Sequence, residues 1–153
     1  MRPKALMIEP DIPTRRRLQL CLEAEGYIVL EAAGGRKGID LAVQRRPDVV
    51  LLELCLPDMD GMTVLKVLRE LSQAPIVILS GCDAGAHEAA ALDNGADDYV
   101  PKPFGMGELL ARLRAARRHA MFQWDIGLST QPAPSRFEGG SQRRLVHEEL
   151  QLQ

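Results

Sequence analysis

The chain carries almost no net charge. Its 19 lysines and arginines stand against 21 aspartates and glutamates, leaving -2, so no global field recruits nucleic acid or an anionic membrane. Cysteine is scarce as well: Cys21, Cys55 and Cys82 are odd in number and show no C-x-x-C spacing. That pattern favours reduced thiols in a cytosolic protein over a disulfide frame. No stretch approaches the roughly 18 consecutive apolar residues of a membrane helix. The N-terminal MRPKALMIEPD reaches acidic residues too soon to be a signal peptide. These absences predict a cytoplasmic protein with no direct nucleic-acid contact and no membrane contact.

What is present is an alternating pattern centred on Pro47 to Gly61, PDVVLLELCLPDMDG. Val49 to Leu52 is an apolar run too short for a typical helix, and turn formers bound it on both sides. A strand buried on both faces of a parallel sheet reads this way. The run ends on Glu53, at the end of the strand where open parallel sheets place their chemistry.

The rest of the chain repeats the unit. Apolar strands are predicted at Ala5–Ile8, Tyr27–Glu31, Pro75–Leu79 and Asp98–Pro101. Helices follow them, carrying Leu18 and Leu22; Ile39, Ala42 and Val43; Val64, Leu65 and Leu68; an alanine-rich stretch from Ala84 to Asp93; and Leu109, Leu110 and Leu113. Asp11 fits a helix cap and Pro13 a first turn. Five strand–helix units with right-handed crossovers give an α/β fold, a parallel five-stranded sheet of order 2-1-3-4-5 with helices on both faces. Glu9 and Glu53 then converge at the switch point between strands 1 and 3, with Ser80 and Lys102 arriving from the neighbouring strands. From Met121 the pattern fails. Residues 1–121 are expected to form one domain and 122–153 a poorly ordered tail or linker remnant, too short for a core of its own.

Two acids after strand 1 and an aspartate after strand 3 would bind Mg²⁺ through oxygen ligands. Such an aspartate would also attack a phosphoryl group, whose oxygens a hydroxyl and a lysine would hold. On LLELCLPDMDG, VILSG and ALDNGADDYVPKPFGMGELLARLRA, residues 4–119 resemble the receiver domain of two-component response regulators, in particular the OmpR/PhoB class. The resemblance implies the (βα)5 flavodoxin-like receiver fold and a cis Lys102–Pro103 bond. It also implies phosphate-site and switch roles for Ser80, Tyr99 and Lys102, with a half-buried edge position as the bland alternative for Tyr99.

Two departures stand at the centre of that resemblance. The position of the phosphoacceptor aspartate is Glu53, whose extra methylene moves the carboxylate by about 1.5 Å, enough to spoil an in-line attack. The acidic pair after strand 1 is matched by Glu9 and Pro10, and Pro10 has no side-chain oxygen where the family has a direct metal ligand. Asp11, one position late, is left as the alternative ligand beside Glu9, with a helix cap as its plainer role. Mg²⁺ binding is therefore expected to be weak or absent, with no resident cofactor, and Glu53 is expected to bridge to Lys102.

The resemblance further implies a pairing face on helix 4, strand 5 and helix 5. Its acids are Asp93, Asp97, Asp98 and Glu108, and its bases Arg112, Arg114 and Arg118, with Glu88 standing where a base would face Glu108. A weak homodimer is the expectation, since exposed pairs contribute under about 1 kcal/mol each; a merely solvated face is the alternative. The leading functional expectation is a non-enzymatic pseudo-receiver acting through a sensor kinase or an output protein. The alternatives are a working phosphoacceptor receiver that tolerates Glu53 or uses Asp58 or Asp60, and the front half of a winged-helix transcriptional regulator. An unrelated flavodoxin-like enzyme fits least, because no phosphate-cradling Gly/Ser/Thr loop follows the first strand.

Overall fold

The computed structural model describes residues 1–81 and 84–130, without the side chains of 84, 85 and 122–130. Five strands, β1 (Lys4–Ile8), β2 (Ile28–Ala32), β3 (Val49–Glu53), β4 (Ile76–Ser80) and β5 (Asp98–Pro101), alternate with five helices. The helices are α1 (Ile12–Ala24), α2 (Gly35–Arg45), α3 (Gly61–Leu71), α4 (Ala84–Asp93) and α5 (Met106–Thr130). All pairings are parallel and the order is β2-β1-β3-β4-β5. The expected topology is the observed one. Glu53 ends β3 as read from the sequence, whereas β2 and β4 each lie one residue later than predicted, so Ser80 closes β4 instead of following it.

The continuous apolar runs are explained by two cores, one on each face of the sheet. Leu6, Ile8, Val50, Leu52, Ile76 and Ile78 face one side, where they meet Val64, Leu65 and Leu68 of α3. Their strand neighbours Ala5, Met7, Val49, Leu51, Val77 and Leu79 face the other, against Leu18 and Leu22 of α1 and Leu109 and Leu113 of α5. Successive residues of a strand point to opposite faces, so a sheet covered on both sides has no polar alternation. Each fully buried Leu or Ile contributes roughly 1.5–3 kcal/mol.

The loops at the carboxyl edge of the sheet are fixed by short-range devices. Asp11 caps α1, its carboxylate accepting the Thr14 amide at 3.1 Å and the Thr14 hydroxyl at 2.6 Å. Gly61 opens α3 against the backbone of Leu54, where a Cβ would collide with the Leu54 carbonyl. Gly34, the N-cap of α2, supplies no side chain to cap it, and Asp58 does so from the β3–α3 loop, accepting the amides of Gly35 at 2.8 Å and Arg36 at 3.1 Å.

The boundary expected at residue 121 falls inside α5, which continues to Thr130; residues 106–130 contain no proline, and the next one is Pro132. The remainder of the expected tail, 131–153, lies outside the described residues.

Asp58 gives a pH-dependent test of the loop lock. Its carboxyl is held below the usual carboxylate range by the amides of Arg36 and Gly35. A depressed native pKa contributes stability above the unfolded value and loses it as pH falls through the native one. Asp58→Ala is therefore expected to melt at a lower temperature than the parent near neutral pH. The gap between the two melting temperatures should begin to narrow as pH falls below about 4, the unfolded-chain value, and close only once pH has passed below the depressed native pKa. A gap that persists in acid would mean that Asp58 acts by packing.

Candidate functional site

Three buried polar residues gather at the carboxyl ends of the central strands. Glu53 ends β3 at 3% exposure, Glu9 follows β1 at 1% and Ser80 ends β4 at 0%. Lys102, just after β5, reaches in from the fourth side, its amide bonded to the Ser80 carbonyl at 2.9 Å. The Lys102–Pro103 peptide is cis, as the resemblance implies. The switch-point convergence read from the sequence is thus present in space.

Lys102 bridges both carboxylates. Its Nζ lies 2.8 Å from Glu53 Oε1 and 2.7 Å from Glu9 Oε1. Burial pushes the ammonium pKa down, and the hydrogen bonds to Glu53 and Glu9 more than reverse this, so the net direction is up. The remaining oxygens are also engaged: Glu53 Oε2 accepts the Cys55 amide at 2.8 Å and Glu9 Oε2 accepts the Asp11 amide at 3.0 Å. The Glu53–Lys102 contact is legible in the sequence; the second contact, from Glu9, is not, since the resemblance marks Glu9 only as a metal ligand.

The centre therefore holds one cation between two anions. An arriving phosphoryl group would meet a net negative charge. At an effective dielectric of 20, each further unit of like charge about 4 Å away adds roughly 4 kcal/mol of repulsion.

The residues present do not fit Mg²⁺. Pro10 presents no side-chain oxygen, and Glu9 and Glu53 each have one oxygen on Lys102 and the other on a backbone amide. Asp11 turns into its cap with Thr14, which holds its carboxyl below the usual range. No group of three or more His, Cys, Asp or Glu side chains is placed to hold a metal among the described residues.

The other sequence candidates divide. Tyr99 is on the edge strand β5 but is buried at 4%, in the core facing α3, rather than half-buried. Of the two spare acids considered as acceptors, Asp58 caps α2 and Asp60 is the N-cap of α3, accepting the Thr63 hydroxyl at 3.2 Å. On the expected pairing face, Asp98 binds Arg112 at 3.0 Å and Arg112 also meets Glu108 at 3.3 Å within the same chain. Arg114 meets Glu25, the residue that caps the C-terminus of α1, at 3.4 Å. Asp97 bonds Arg69 at 2.9 Å and the Ile76 amide at 2.8 Å, tying the end of α3 to the start of β4. Glu88, Asp93 and Arg118 are exposed.

The thiol expectation fails at Cys55, which is disulfide-bonded, whereas Cys21 is free. Cys82, the third cysteine, lies outside the described residues.

Comparison with known proteins decides the family. Residues 5–114 match the response regulator receiver domain. The chain belongs to that family. It is 46% identical over 116 residues to the KDP operon transcriptional regulatory protein KdpE of Escherichia coli, covering 75% of this chain and 52% of that protein. Response regulator MprA of Mycolicibacterium vanbaalenii is 41% identical over 116 residues, with 75% and 50% covered. These relatives belong to the OmpR/PhoB class, and the chain spans about half their length. Among solved structures, the BeF3-activated N-terminal receiver domain of Klebsiella pneumoniae RstA is 33% identical with a TM-score of 0.71, covering 75% of this chain and 98% of that one. A CheY-like receiver domain from Methanospirillum hungatei, at 23% identity and TM-score 0.77 over 80% of this chain and 99% of that one, shares the fold. This receiver has no helix among its described residues long and apolar enough to cross a membrane.

Proposed function

We propose that this receiver is a cytoplasmic, non-enzymatic signalling module that works without aspartyl phosphorylation and communicates by protein–protein contact. The observation that carries this is the double ion pair of Lys102. The cation that would receive a phosphoryl oxygen is held between Glu53 at 2.8 Å and Glu9 at 2.7 Å. Glu53 supplies a permanent negative charge where a transient one would otherwise be made, and Ser80, Tyr99 and Lys102 form the frame that senses it. A sensor kinase or an output protein is the partner; direct nucleic-acid binding by residues 1–130 is not expected. Pairing through α4, β5 and α5 is weak, because Arg112 and Arg114 have acidic partners within their own chain and Glu88 adds a like charge opposite Glu108.

Amide spectra test the reading. Acetyl phosphate with millimolar Mg²⁺ should leave the resonances of Glu9, Glu53, Ser80 and Tyr99 in place. Glu53→Gln, which removes the charge and keeps the shape, should move them. Saturable shifts at Glu9 and Glu53 with sub-millimolar Mg²⁺ would instead make this a metal-binding receiver.

A second reading is supported by length. Because the chain spans half of KdpE and MprA, this receiver would serve as the N-terminal half of an OmpR/PhoB-type winged-helix transcriptional regulator, with Glu53 setting the state of a DNA-binding output.

A further inference from the structure

Arg15, Arg16 and Arg17 follow one another on α1. Arg16 and Arg17 are exposed, whereas Arg15 reaches back to the turn that presents Glu9. Its guanidinium Nη1 donates to the Glu9 carbonyl at 2.8 Å and lies 3.5 Å from the Pro10 carbonyl. Its backbone amide donates to the Asp11 carbonyl at 2.9 Å. A third hold comes from β2, where Nε meets the Glu31 carboxylate at 3.3 Å. A planar guanidinium can bind a carbonyl and a carboxylate at once, in directions fixed by its own geometry. Glu9 needs such a hold. The residue is 1% exposed, and a buried carbonyl requires a donor. Pro10, next in the chain, has no amide hydrogen with which to fix the turn. The Glu9 carboxylate accepts the Asp11 amide at 3.0 Å and takes Lys102 at 2.7 Å. That Asp11 amide belongs to the same turn, so it stands ready for Glu9 only while the turn is held.

We propose that Arg15 is the positioning residue that commits Glu9 to Lys102, and so keeps the second negative charge at the site. This deepens the reading of the Lys102 bridge as the signalling element and rests on it. With Arg15 in place, the ammonium is shared between Glu9 and Glu53. Without it, the turn from Glu9 to Asp11 swings and Glu9 leaves the ammonium. Lys102 then stays with Glu53 alone, whose other oxygen is fixed independently by the Cys55 amide at 2.8 Å. One half of the buried bridge is thereby set from α1 and from β2, the edge strand of the sheet. The other half is set from the β3–α3 loop.

The test is read at Lys102. Burial lowers its ammonium pKa and the bonds to Glu53 and Glu9 raise it, so loss of the Glu9 bond leaves more free amine. Trace labelling of the full chain with acetic anhydride measures this by mass spectrometry, with the exposed Lys37 and Lys66 as internal references. Arg15→Met should speed acetylation of Lys102 several-fold and leave the references unchanged. Glu9→Gln should speed it as well, and adding Arg15→Met to Glu9→Gln should change nothing further. An unchanged Lys102 rate in Arg15→Met would overturn the proposal. So would a further increase in the double variant, which would make Arg15 a general brace that acts without Glu9. Amide spectra of Arg15→Met should show Glu9 and Asp11 displaced and Cys55 in place; a Cys55 shift as large as that of Asp11 would equally end the proposal. Acetylation reads the resting bridge with no phosphodonor present, so its failure is separable from a failure of the phosphorylation-independent reading.

Discussion

Glu53→Asp combined with Pro10→Asp is expected to give a chain that acetyl phosphate labels in a Mg²⁺-dependent way, where the parent chain takes no label. Two separate defects motivate the pair of changes. The extra methylene of Glu53 carries its carboxylate onto Lys102 Nζ at 2.8 Å, and a displacement of about 1 Å in a nucleophile can cost roughly 10²-fold in rate. Pro10 removes an oxygen where a cation would screen the approach of two anions. Either reversion alone should recover little, because each leaves the other defect in one shared site, and effects within one site do not add. Rates of label incorporation with and without Mg²⁺ check this. A double variant with a native-like amide spectrum that takes no label would show that Ser80 and Lys102 are no longer placed to hold a phosphoryl group.

The second large effect concerns stability. Lys102→Met leaves Glu9 and Glu53, at 1% and 3% exposure, facing one another without a cation. Removing one partner of a buried ion pair costs about 3–5 kcal/mol, because the remaining charge keeps its desolvation penalty. Urea denaturation should show a loss of that size at an unchanged denaturant slope. Adding Glu53→Gln to Lys102→Met should recover part of it, since one of the two stranded charges disappears, and the double-mutant cycle would show coupling. A loss below about 1 kcal/mol would class the bridge with exposed surface pairs.

Most of the fold was legible in the sequence for a physical reason. A sheet covered on both faces writes its strands as unbroken apolar runs, and PDVVLLELCLPDMDG shows the whole unit of run, strand-end carboxylate and turn. The short crossovers then restrict the order. Glu9, Glu53, Ser80 and Lys102 were legible because strand ends at a switch point converge whatever the side chains are. What failed depends on three-dimensional proximity that no local pattern records. Asp58 caps α2 from 23 positions away in the sequence; the one hint was Gly34-Gly35, a helix start with no capping side chain of its own. Asp97 reads as a surface charge, yet it closes a network with Arg69 and the Ile76 amide. Glu9 reads as half of an acidic pair, and with Pro10 beside it the carboxylate turns to Lys102 instead. The Cys55 disulfide was missed because the only cue used was local spacing, and the sequence holds no C-x-x-C pair.

The central claim is that Glu53 stands in place of a phosphoacceptor and accepts nothing. Intact-protein mass spectrometry of the unmodified chain, after incubation with acetyl phosphate and Mg²⁺ or with a phosphorylated sensor kinase, tests it most directly. The Glu53–Lys102–Glu9 bridge predicts a single unphosphorylated species under every condition. An efficient phosphoryl adduct that maps to Glu53, or to Asp58 or Asp60, would contradict it.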